Sequence, residues 1–201
     1  MKFNHTTFFN KYRAEYGSLT QSKVSGLDNL LGYIELDTEI NDVRWAAYML
    51  ATVKHECADT WQPITERGQK SYFNKYNAGT ALGKRLGNTQ PGDGYNYRGR
   101  GYVQITGRAN YQKMTDALAL TDDSNLVQHP EVALHPDIAY RIMSYGMRTG
   151  AFTGKKLSDY ISGTTCDYKN ARRIINGTDQ WALIQGYAEK LQAMLQLSLQ
   201  S

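Results

Sequence analysis

Apolar positions recur every three or four residues along several stretches of this chain, the spacing that lines one face of a helix. The first such stretch covers residues 3–16 and stops at Gly17. In the second, Val24, Leu27, Leu31 and Ile34 share a face, with Thr20 standing where an N-cap is needed. The third starts at Asn41 or Asp42 and sets Trp45, Met49, Thr52, Val53 and Glu56 in one stripe. Residues 137–149 read as helical after "HPEVALHP", whose two prolines break and restart the chain. Asp167 is placed to cap a short helix ending at "NGT". Asp179 is placed to cap the last helix, in which Trp181, Ile184, Tyr187, Leu191, Met194 and Leu195 share a face.

Residues 62–107 break this rhythm. The run "NAGTALGKRLGNTQPGDGYNYRGRGYVQITG" holds eight glycines and one proline, and only "YVQIT" alternates like a strand, half of a small hairpin. A loop-rich segment of that length inside a compact domain is unusual unless it serves a function. The pattern therefore predicts a mainly helical body with an irregular, Gly- and Tyr-rich lobe in its middle. The whole is expected to be a single domain over residues 1–201, a length that suits a single core.

Composition adds little to this picture. At 41% apolar and 21% charged the chain is of ordinary globular type, and no apolar run reaches membrane-spanning length. A net charge of +4 favours approach to polyanions such as nucleic acid, anionic lipid or an acidic cell wall. Cys57 and Cys166 match no zinc spacing and no disulfide scaffold, so they read as two thiols, although a bridge stays open at this stage. The opening "MKFNHTTFFNKYRAEYG" lacks the apolar core of a secretory signal, which predicts synthesis in a cytoplasm without a signal peptide.

The chemistry gathers around two carboxylates. Glu56 ends an apolar stripe, and burial disfavours a charged carboxylate, so an acid placed there is suited to donate a proton. A bland reading competes, in which Glu56 turns to solvent at a frayed helix end. Glu66 follows Pro63 at the entrance of the polar lobe, where it stays hydrated and ionised. One acid kept protonated and one carboxylate kept charged to activate water are what a hydrolase needs. A metal reading of "HE" fails because the second histidine of the zinc-protease pattern is replaced by Asp59. The stretch "YNYRGRGYVQITGRANYQ" adds tyrosines, arginines, glycines, Gln104, Thr106 and Asn110, with Gln104 and Thr106 on one face of the expected strand. An RNA-binding reading of "RGRG" rests on only two repeats, and a structural hairpin with solvated arginines is the plain alternative.

These residues resemble a known family. "AAYMLATVKHE", then an acid ten residues on, then "YRGRGYVQITGRANY" and the later "RRIINGT" look like the family 19 glycoside hydrolases, the plant-type chitinases and their phage and bacterial endolysin relatives. The resemblance is densest over residues 42–115 and extends to 168–190. It implies a lysozyme-like, chitinase-type helical fold. It also implies roles: Glu56 as catalytic acid, Glu66 as the base that activates water, and Thr106 as the hydroxyl that helps position that water. Gln104, Asn110 and Asn176 become substrate-binding residues, with Tyr97 and Arg98 lining the substrate path. Two departures stand out. Many members follow "HE" with Thr and a Gly pair, where this chain has Cys57, Ala58 and Asp59. The disulfides and extra loops of the plant enzymes are also absent, which shifts the expected substrate from chitin towards peptidoglycan.

The expected activity is thus that of an endolysin: hydrolysis of a β-1,4 bond of the peptidoglycan glycan strand with inversion, by two carboxyl groups roughly 6.5–9.5 Å apart. Chitin hydrolysis and an inactive wall-binding module are the alternatives. No metal or cofactor is called for. The expected partner is the glycan strand, with no nucleic acid and no stable membrane insertion. The chain is expected to be a monomer, acting on the cell wall after release from the host cytoplasm. Residues 180–200, with Lys190 as their one cation against Glu189, lack the basic amphipathic signature of a membrane-active helix.

Overall fold

The computed structural model describes residues 1–200. In chain order the elements are α1 (His5–Tyr16), α2 (Gln21–Leu36), α3 (Val43–Glu56), β1 (Ile64–Thr65), α4 (Ala81–Arg85), α5 (Asp93–Asn96), β2 (Arg100–Gly101), α6 (Arg108–Ala117), α7 (Pro136–Thr149), β3 (Ile161–Ser162), β4 (Thr165–Cys166), α8 (Tyr168–Ala171) and α9 (Trp181–Ser198). Short 3₁₀ turns link them, the longest being Lys70–Tyr76. The chain forms two compact units, Pro63–Ile142 and the segments on either side of it. No helix of the described residues is long and apolar enough to cross a membrane.

In the flanking unit the caps follow from the sequence. Asp42 accepts a hydrogen bond from the Arg44 amide at 2.9 Å, Thr20 caps α2 from Lys23, and Gly17, at φ 82°, closes α1 onto Arg13. The first helix starts two residues later than its pattern, because Phe3 forms a β-bridge with Leu199 and Asn4 takes the cap. Helix α3 differs more. Every residue from Ala46 to Lys54 is buried, so this stretch has no solvent face, where the apolar stripe predicts a single buried side. It packs along α9, which also receives α1 and α8. Leu27, Leu30, Leu31, Ile34, Ile184, Leu191 and Leu195 complete this core. Asp179 does not cap α9. Gln180 holds the cap position at φ 54°, and Asp179 lies 3.5 Å from the Arg172 guanidinium instead. A buried arginine is a stronger claimant for that carboxylate than a helix end. Both cysteines are thiols, Cys57 buried and Cys166 exposed.

The unit Pro63–Ile142 contains most of the irregular lobe and is built from polar locks. Strands β1 and β2 pair antiparallel, and Arg100 bridges back to Ile105. The alternating strand read at "YVQIT" does not exist: Tyr102–Gln104 form a turn, with Gln104 at φ 54°. The strand is Arg100–Gly101, just before it, and its partner is the distant Ile64–Thr65, a register that local alternation does not reveal. Asp93 is fully buried, accepting from the amides of Thr89 and Gln90 and from two nitrogens of Arg108 at 2.8 and 2.6 Å. Burial alone would raise this carboxyl, but Arg108 and the two amides outweigh it and hold Asp93 below the usual range. Arg100, solvated in the plain hairpin alternative, is buried and donates to the Asn96 carbonyl and the Tyr111 hydroxyl. Helix α6 has too few apolar positions to announce itself; only Tyr111, Met114 and Thr115 are buried.

Candidate functional site

Glu56 is the last residue of α3, and its side chain is 18% exposed. Its Oε1 lies 2.7 Å from Nη1 of Arg172, which is itself 3% exposed and comes from the 3₁₀ turn after α8. The nitrogen Nε of Arg172 donates to the Asp179 carbonyl at 3.2 Å. The carboxyl group therefore does not sit in purely apolar surroundings, as the stripe suggested. A guanidinium answers its charge, and the long separation in sequence concealed that. Tyr48, two turns up the same helix, stacks on Tyr168 at 5.8 Å. Burial pushes the Tyr48 phenol well above its ordinary range, and Arg172 only partly offsets this.

The turn after Glu56 is bent tightly. Ala58, Asp59 and Trp61 have φ of 48°, 59° and 60°, a left-handed region that costs a residue with a side chain about 1–3 kcal/mol. Ala58 and Asp59 stand where the resemblance puts a Gly pair, the residue type that adopts this backbone without strain. Here Asp59 holds the turn by ion pairs. Its carboxylate meets Lys54, buried among Tyr12, Tyr16, Trp61 and Tyr187, and Lys23 at 2.6 Å. Burial would raise the Asp59 carboxyl, but the two lysines more than compensate and keep it low.

Glu66 is held differently. Its amide donates to the Gly99 carbonyl at 2.8 Å, and the Gly99 amide donates back to Glu66 Oε2 at 3.1 Å. No hydrogen-bond partner is seen for Oε1 among the described residues. A methyl group added at Gly99 would lie 3.0 Å from Gln104 Oε1 and 3.2 Å from Glu66 Oε2. Gly99 thus lets carboxylate, amide oxygen and backbone converge, although its spacing gave no sign of it. Gln104 donates its amide to the carbonyls of Ile64 and Gly101, both at 2.9 Å, and so pins β1 to the β2 turn.

The other expected residues are scattered in kind. Thr106 donates to the Gln104 carbonyl at 3.0 Å, and Asn110 donates to the Thr106 carbonyl at 2.7 Å, so these three form one chain of contacts. Arg98 is half-buried, bonded to the Tyr95 carbonyl and laid 3.9 Å over the Tyr95 ring. Tyr97 is 4% exposed, its hydroxyl donating to the Val127 carbonyl, and serves as packing under Arg108 and against Tyr111. Asn176 is exposed and turns back onto the Gly177 amide. Arg172 lies in the quoted "RRIINGT" run, yet nothing in its spacing marked it as the partner of Glu56.

No family model matches the sequence, and no curated protein matches it. Solved structures do. Chitinase C from Streptomyces griseus superposes with a TM-score of 0.54 at 19% identity, covering 97% of this chain and 76% of that one. A bacterial family 19 chitinase gives 0.54 at 18% identity over 97% and 94% of the two chains. A family 19, class IV chitinase from Zea mays gives 0.53 at 18% identity over 94% and 91%. At such identities it is the backbone that is shared, and this chain has the chitinase-like fold of family 19.

Proposed function

We propose that this chain is a glycoside hydrolase that cuts β-1,4 bonds of the peptidoglycan glycan strand by inverting acid–base catalysis, in the manner of an endolysin. One observation carries the reading: a fold shared with family 19 chitinases over nearly the whole chain, with a carboxylate at the end of its buried helix α3. Glu56 is the acid. Arg172 engages its Oε1, which leaves Oε2 to hold the proton passed to the leaving oxygen. Glu66 is the base. Gly99 engages its Oε2, which leaves Oε1 to take a proton from water, with Thr106 helping to orient that water. Gln104 and Asn110 brace this arrangement; Arg98 and Asn176 are offered to substrate. The chain acts on the wall after release from a host cytoplasm, as a monomer, and without nucleic acid, metal or cofactor.

A second reading, chitin hydrolysis, is favoured by the matching structures, which are chitinases. The test is mass spectrometry of purified peptidoglycan and of chitin hexamer digested side by side by wild type and Glu56→Gln. New reducing ends from peptidoglycan in the wild type alone are expected. Cleavage of chitin only would replace the first reading with the second. Cleavage of neither would end both.

A further inference from the structure

Residues 62–107 contain seven Lys or Arg and two Asp or Glu, whereas the rest of the chain has sixteen against seventeen. The basic balance of the protein therefore belongs to this stretch. One of its acids, Asp93, is buried and paired with Arg108, which leaves Glu66 as its only partly exposed acid. The cations are also ordered. Phe73, 1% exposed, forms a floor under Tyr72, Tyr76 and Tyr95 at ring separations of 5.1, 6.4 and 5.6 Å. Lys75 sits 3.6 Å over Tyr72 and 4.8 Å over Tyr76, Arg98 lies 3.9 Å over Tyr95, and Lys70 reaches the same ring at 5.6 Å. Cation–π attraction of this kind fixes flexible side chains without neutralising them. Among the described residues the ion pairs of this unit are Arg108–Asp93 and His129–Glu131, so Lys70, Lys75 and Arg98 keep their charge for another molecule. The layer is continuous with Glu66. Two residues on, at Gly68, a methyl group would lie 2.9 Å from Tyr72 and 3.2 Å from Phe73, and the Glu66 charge is felt by Tyr76 and Arg98.

We infer that this cation-on-tyrosine layer is a subsite for the carboxylate-bearing peptide stems of a peptidoglycan strand and that it selects that polymer over chitin. The inference rests on the hydrolase reading above and deepens it. Chitin and peptidoglycan share a β-1,4 backbone of N-acetylated amino sugars, but chitin is neutral and the peptide stems carry free carboxylates. Separate ammonium and guanidinium groups, on rings that pack against the segment just after Glu66, match carboxylates that branch from the strand near the bond to be cut. A nucleic acid fits less well. The tyrosine faces that would stack bases are already covered by cations, and Glu66 repels a continuous phosphate backbone.

The experiment measures binding by calorimetry in 0.1 M salt with three ligands: soluble glycan strands bearing peptide stems, the same strands stripped by an amidase, and chitin hexamer. The full chain is used as Glu56→Gln, with and without Lys70→Ala and Lys75→Ala together, and with Lys75→Gln alone as the milder change. Steady-state cleavage by the otherwise wild-type chain is followed in parallel. Stem-bearing strands are expected to bind at least about fivefold tighter than stripped ones, and the lysine changes to remove that margin while leaving the other two ligands unaffected. Equal binding of stem-bearing and stripped strands overturns the inference, as does an equal loss on all three ligands. A short RNA competing as well as the stem-bearing strand overturns it too. If cleavage persists without discrimination, this inference alone fails. If discrimination persists without any cleavage, it is the hydrolase reading that fails.

Discussion

Glu56 and Glu66 stand ten residues apart and are held by opposite means. Glu56 closes a helix buried nearly all round, so packing fixes its backbone, and one arginine from 116 residues further along answers its charge. Glu66 lies where regular structure is scarce, and the backbone of a glycine 33 residues on grips both its amide and its carboxylate. Around Glu56 the positional accuracy comes from apolar contact with a single charged correction. Around Glu66 it comes from hydrogen bonds and ion pairs, chief among them Asp93 with Arg108 and Arg100 with Tyr111. The first arrangement is sensitive to lost volume or lost charge at one point. The second is sensitive to pH and to small steric intrusions.

That contrast can be broken in order of size. Glu56→Gln is expected to lower cleavage of glycan by about 10²- to 10⁴-fold, with an unchanged far-ultraviolet spectrum, because glutamine keeps an oxygen for Arg172. A variant that retains more than about a tenth of the activity removes Glu56 from the acid role. Arg172→Met should cost about 3–5 kcal/mol in urea unfolding, since it removes the buried partner of the Glu56 carboxyl group. A loss below about 1 kcal/mol would mean that water already screens the pair. Asp93→Asn should cost about 2 kcal/mol by the same measurement. It should also flatten the acid side of the stability curve. The folded-state value of Asp93 lies below its ordinary 3.8, so its contribution is complete above that value and lost as pH falls through the depressed one. Melting temperatures between roughly pH 6 and pH 2 should therefore converge for wild type and Asp93→Asn at the acid end. The smallest change is Gly99→Ala. It should lower kcat about tenfold by displacing the Glu66 carboxylate, and cost under about 1 kcal/mol of stability, so that rate and stability separate.

The legible parts of the sequence are those governed by local rules. Thr20, Asp42 and Asp167 cap helices because a short polar side chain before an apolar period can reach the next free amides, whatever lies elsewhere. Asp179 obeys the same rule on paper and fails it, since Arg172 offers a full charge and the α9 cap offers only amides. "YVQIT" fails for a related reason: alternation over five residues says nothing about distant pairing, and it is Arg100–Gly101, just before it, that joins Ile64–Thr65, while Tyr102–Gln104 turn to set Ile105 against Arg100. Helix α6 lies below the threshold of periodicity because its unit buries it along a narrow strip.

At the candidate site the division is the same. The two acids, Gln104, Thr106 and Asn110 were legible as residue types in a recognisable order, and that order also carried the resemblance to a fold that the structural matches bear out. What the sequence by itself determined was where helices begin, which stretch would be irregular, and which residues have the chemistry for proton transfer. Only the tertiary structure decided that Arg172 answers Glu56, that Gly99 clamps Glu66, and that Lys54 and Lys23 hold the strained turn at Asp59. Charge pairing and close backbone approach depend on distance in space, and distance in space is set by the packing of the whole core rather than by any window of the chain.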